Sequence, residues 1–126
     1  MDSQEKLRQQ MAQIGNRYLV RTLGELEKLK ELIGEAVGGS NTVLREVEHL
    51  AHKIHGSGAM FGFDAVSDSA GVIEHAAARL SGRDAAAEYS SLSDAELRRR
   101  LDEGVTQLEA VTKSAAQKCG VDVNAG

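Results

Sequence analysis

The sequence predicts an all-α chain, an antiparallel four-helix bundle with a short N-terminal helical extension. Three observations carry that expectation. The 126 residues include no proline and few aromatics, and Ala, Leu, Glu, Lys and Arg dominate, which is a helical composition. Apolar residues recur at spacings of three and four along four long stretches, the period of a helix with one buried face. The joints between those stretches are mostly short and contain Gly or Ser, so each helix is expected to fold back on its neighbour with apolar faces inward. No internal repeat or domain boundary is visible, and residues 1–126 form one domain long enough to bury a core.

Each element has its own signal. Leu7, Met11, Ile14 and Tyr18 make a first amphipathic run, which Gly15-Asn16 is expected to break or kink, leaving residues 1–16 as the extension. From Arg17 the pattern continues through Leu19, Leu23, Leu26, Ile33 and Val37, and Gly38-Gly39 ends it. Ser40 or Asn41 caps the next helix, which runs to about Phe61 on a stripe of Val43, Val47, Leu50, Ile54 and Phe61. At the joint after it, Gly62 suits the left-handed position beyond a helix end, Phe63 can fold back, and Asp64 can cap the third long helix. Val66, Ala70, Ile73, Ala77 and Leu80 line that helix, which stops at Ser81-Gly82. Arg83 to Ser91 is a connecting loop with room for a helical turn. Ser93-Asp94-Ala95-Glu96 is a capping box with Leu92 and Leu97 as its hydrophobic staple. Leu97, Leu101, Leu108, Val111 and Ala115 line the last helix, where Gly104 leaves space for a close neighbour. Residues 119–126 form a frayed tail.

Composition also narrows the function. A net charge of −4 argues against a general nucleic-acid grip. No apolar run reaches the roughly 20 residues of a bilayer span, and the first residues lack the apolar segment of a signal peptide. Cys119 is alone, which suits a reducing compartment. The expectation is a cytoplasmic protein without nucleic-acid or membrane partners.

The chemistry concentrates between Ala51 and Phe63. On a helical wheel His52 lies about 140° from Val47 and about 160° from Leu50 and Ile54, so it faces away from the core. Arg45, Glu48, His49, His55, Gly56 and Ala59 all fall within about 60° of it. One exposed face therefore carries three imidazoles, a carboxylate and an arginine, with two small residues that let another protein approach. A glycine inside a helix is locally unfavourable, so its presence suggests a contact reason. An exposed, unprotonated imidazole can attack phosphorus and carry the group as a phosphoramidate. Gly56-Ser57-Gly58 and Gly62 do not make a nucleotide loop, which needs a strand before it and a helix after it. Arg98-Arg99-Arg100 is a solvated face, and His75 a surface residue off the apolar stripe.

The run His52-Lys53-Ile54-His55-Gly56-Ser57, followed by Gly62 and then Ala65-Val66, resembles the histidine-containing phosphotransfer (HPt) domains of two-component phosphorelays. The likeness in helix count, order and loop placement extends from about Arg17 to Lys118. It implies an elongated helical bundle in which His52 is the phosphorylated nucleophile, Ile54 its buried flank, Gly56 the clearance beside it and Gly62 the turn. The partners implied are response-regulator receiver domains and a histidine kinase or hybrid kinase, contacted through Arg45, Glu48, His49, Gly56 and Ala59. Such a chain is a phosphoryl-carrying intermediate, not an enzyme with an ATP site. It needs no metal or cofactor of its own, Mg²⁺ being expected only in the partner receiver. Many members carry lysine where this chain has His55, which can hydrogen-bond the phosphate or answer its charge. That departure predicts transfer or phosphoryl lifetime more sensitive to pH than in a lysine-bearing relative. Two alternatives remain: a non-catalytic helical adaptor, and a bundle binding a metal ion or haem through His49, His52 or His55.

Overall fold

A computed structural model describes residues 2–36, 40–83 and 86–119. Helices α1 (Ser3–Glu35), α2 (Asn41–Met60), α3 (Asp64–Leu80) and α5 (Asp94–Lys118) form the bundle, and α4 (Ala87–Ser90) is a single turn in the last connection. The chain is therefore all-α among the described residues. Pairs across the seams fix antiparallel neighbours. Gly58 meets Ser67 and Gly71 meets His55 between α2 and α3. Arg98 donates to the Ala36 carbonyl while Lys30 pairs with Glu109, which sets α5 against α1.

The helix ends follow local chemistry. Ser40 Oγ accepts from the Val43 amide and Ser93 Oγ from the Glu96 amide, as the capping signals predict. After α2, Gly62 takes φ +81°, its N–H bonding Ala59 O and the Phe63 N–H bonding Gly58 O. This pair of bonds is the Schellman closure. It recurs after α3, where Gly82 (φ +83°) bonds Arg79 O and Arg83 bonds Ala78 O.

Several expectations change. Gly15-Asn16 does not interrupt the chain: α1 is one continuous 33-residue helix, so residues 1–16 are not a separate element. One glycine costs a helix only about 1 kcal/mol against Ala, and the Phe63 ring packs beside Gly15, at ordinary contact distance (3.5 Å) from where a Cβ would stand. The apolar run of those first turns does not enter the core: Leu7, Met11 and Ile14 are exposed, and only Tyr18 is buried. Asp64 is the first residue of α3, not its cap, which is Phe63 without a side-chain bond. The buried stripe of α2 is Leu44, Val47, Ala51, Ile54 and Gly58, with Val43 and Leu50 on its margin and Phe61 exposed. In α5 it is Leu97, Leu101, Gly104, Leu108, Thr112 and Ala116, so Val111 and Ala115 are marginal. His75 is half-buried and stacks on Tyr89 at 5.4 Å. Val37 to Gly39, where the sequence predicts the end of α1, and residues 120–126 of the tail lie outside the described residues; Cys119 caps α5.

Tyr18 locks α1 to the end of α2. Its ring stacks on Phe61 (4.8 Å) and Phe63 (5.6 Å), and its hydroxyl donates to Ile54 O at 3.3 Å. Gly104 does the same for α3 and α5. A Cβ there would lie 2.7 Å from Ile73 Cγ1, inside contact distance of a fully buried, β-branched side chain with little rotamer freedom. Gly24 in α1 has nothing within 4 Å of such an atom. Gly104→Ala should therefore lose about 1–2 kcal/mol, overpacking outweighing the helix-propensity gain. Gly24→Ala should gain about 0.5–1 kcal/mol by propensity alone. Urea midpoints that move in the same direction for both would refute this account of the seam.

Candidate phosphotransfer site

His52 sits mid-way along α2 with its side chain 74% exposed, pointing away from Ala51 and Ile54, which are buried. One turn on, His55 is half-buried at the α2–α3 seam. Its ring lies against α3 at Gly71, where a Cβ would stand in contact, 3.4 Å from the imidazole Cε1. The backbone of His55 is held as well, its carbonyl accepting from Ser67 Oγ at 2.7 Å.

Both rings meet one carboxylate. His52 Nδ1 lies 2.7 Å from Glu74 Oε2, and His55 Nδ1 lies 2.8 Å from Glu74 Oε1. Partial burial raises the Glu74 carboxyl, but hydrogen bonds from His55 and His52 lower it further, so it lies below its ordinary value. An ionised carboxylate only accepts, so each ring must carry its proton on Nδ1 and donate it. The unprotonated nitrogen of a neutral His52 is then Nε2, the one turned from the seam. A carboxylate that fixes a histidine's tautomer and orientation in this way is the arrangement by which acids position general-base or metal-bound imidazoles.

Gly56 and Ala59 are exposed on the same side of α2, and nothing lies within 4 Å of a Cβ placed on Gly56. Gly24 and Gly34 share that open space, so openness alone does not single out Gly56; its position one turn from His52 does. Arg45 and His49 are also exposed. Glu48 is not part of the open face. Its side chain is only 13% exposed, and its Oε1 lies 3.4 Å from Arg83 Nε at the far end of the seam. Lys53, beside His52, is tied to Glu25 of α1 at 3.0 Å.

A scan against protein-family models matches the Hpt domain over residues 17–111. The chain belongs to the Hpt domain family. Hpt domains take part in phosphotransfer in two-component systems, as relay carriers without an ATP site, and the family interacts with receiver domains and histidine kinases. The match starts at Arg17, so the exposed first turns of α1 precede the Hpt region. No curated protein and no solved structure gives a match. No helix among the described residues is long and apolar enough to cross a membrane.

Glu74 is the site residue that sequence reasoning missed. A signal was present. Ser67, Gly71, Glu74 and Ala78 follow helical spacing along α3, three small residues interrupted by one carboxylate. Small residues at that period mark a face pressed against a neighbouring helix, and a carboxylate in such a face needs a partner.

Proposed function

We propose that this chain relays phosphoryl groups between receiver-domain aspartates through phospho-His52. The observation that supports it best is an exposed imidazole whose Nδ1–H is held by Glu74, leaving Nε2 as the available nucleophile. The Nε2 lone pair attacks the phosphorus of an aspartyl phosphate in a docked receiver. A P–N bond forms as the P–O bond to the aspartate breaks, and the carboxylate leaves with the electron pair. The ring becomes cationic while Nδ1–H remains donated to Glu74, whose charge offsets the one developing on the imidazole. The reverse step passes the group to a second receiver. Mg²⁺ in the receiver supplies most of the charge stabilisation, and the Hpt bundle supplies position. Arg45, His49, Gly56 and Ala59 form the docking face around His52, while Glu48 contributes from the seam by holding Arg83.

The test is to incubate the protein with a receiver domain carrying labelled phosphate and to map the label. Acid-labile, base-stable label on the peptide containing His52 is the expected result. Failure to take label from a panel of receivers, with the bundle folded, would overturn the proposal and favour an adaptor that binds without chemistry.

A further inference from the structure

We propose that His55 is a positioning residue for His52: by sharing Glu74, it keeps His52 unprotonated, and so nucleophilic, to lower pH than Glu74 alone would allow. This rests on the reading of His52 as phosphoacceptor. A carboxylate that orients an imidazole also has a drawback, because its charge favours the protonated ring. Once Nε2 carries a proton it has no lone pair for phosphorus. Here the two oxygens of Glu74 serve two rings at 2.7 and 2.8 Å, so a proton attracted to the cluster has two places to go. While it resides on His55, Glu74 is neutralised and the new positive charge opposes protonation of His52 across the same carboxylate. His55 thus acts as a proton decoy.

The surroundings leave Glu74 as the charge that dominates this pair. From α3 it is the group in contact with the rings, and the other acid along the seam, Glu48, is paired with Arg83. From α1, Glu25 is paired with Lys53, the residue next to His52. Arg45 and His49 share α2 with the pair and are exposed, and Asp68, near the start of α3, is exposed as well. His55 is itself 40% exposed, so it exchanges protons with solvent.

The experiment follows the ring Cε1–H signals of His52 by NMR between pH 5 and 9 in the wild type, His55→Gln and His55→Lys. It needs no partner, so it reads the coupling independently of phosphotransfer. The His52 midpoint should be highest in His55→Gln, lower in the wild type and lowest in His55→Lys. The first gap should equal about half of the coupling between the two rings, so roughly 0.5 pH units or more for sites that interact by about 1 pK unit or more. In a Glu74→Gln background, His55→Gln should move the midpoint less than it does with Glu74 present, because no shared carboxylate then draws a proton onto His55. A merely structural role for His55 would not require that difference. Rates of phosphoryl acceptance should follow the same order of pH profiles. An equal or lower His52 midpoint in His55→Gln than in the wild type overturns the inference. If the NMR order holds and no receiver donates label, the coupling stands and the relay function falls.

Discussion

His52→Gln is expected to accept no phosphoryl group from any receiver, and Glu74→Gln to accept it roughly 10–100-fold more slowly, the usual cost of removing a group that orients a reactive imidazole. The first variant removes the nucleophile. The second keeps size and shape but changes what the group can do with two rings. An ionised Glu74 accepts from both Nδ1–H groups, 2.7 and 2.8 Å away. A glutamine can accept through its oxygen from one ring, while its amide N–H donates to the other. The ring facing the amide must move its proton from Nδ1 to Nε2. When that ring is His52, the outward nitrogen is no longer a nucleophile. Initial rates of label uptake at matched receiver concentration measure the effect, with circular dichroism to establish that the bundle persists. Uptake by Glu74→Gln at the wild-type rate would remove the carboxylate from the mechanism.

Gly56→Leu should stabilise the bundle and cripple the relay together. Nothing lies within 4 Å of a Cβ at this position, and leucine is the better helix former by close to 1 kcal/mol, so thermal unfolding should shift upward by a few degrees. A receiver that reaches His52 must pass over the same turn of α2. A branched side chain there is expected to weaken docking by tenfold or more, about 1.4 kcal/mol per decade. Opposite signs for stability and transfer separate a blocked surface from a damaged fold. A loss of both would mean that Gly56 serves the bundle, and unchanged transfer would put it outside the contact. Gly56→Ala, with one methyl, should show most of the stabilisation and little of the block.

Much of this was legible from local chemistry. The Ser40 and Ser93 caps and the turn at Gly62 each depend on residues near in sequence, and each is present. Gly104 marks a close approach by its own small size, although the partner, Ile73, lies on another helix. The exposure of His52 came from helical period alone. What could not be read locally is pairing. Glu74 is 22 residues from His52, and only the register of α3 on α2 makes them neighbours. The same limit explains Glu48, whose wheel position borders the open face but whose side chain α3 and Arg83 draw into the seam. It explains the α2 stripe as well. The apolar arc of that helix is wide, and contact with α1 and α3 centres it on Leu44, Ala51 and Gly58 rather than on Val43 and Leu50. Continuity of α1 through Gly15 was hidden because one glycine is a small cost against a 33-residue helix, and the Phe63 ring that packs beside it comes from another joint.

The glycine closure between α2 and α3 turns the first half of α3 into a measuring rod. Phe63 is pinned by its bond to Gly58, so the distance to Glu74 is counted out in helical residues from a fixed point. One residue inserted between them would swing the carboxylate about 100° around α3, off both imidazoles. A pair inserted would carry it to the far side of the helix. Substitutions along that stretch can be absorbed one at a time, whereas a change in its length cannot. The chemistry at His52 therefore depends on the number of residues in α3 before Glu74 as firmly as on any of their identities.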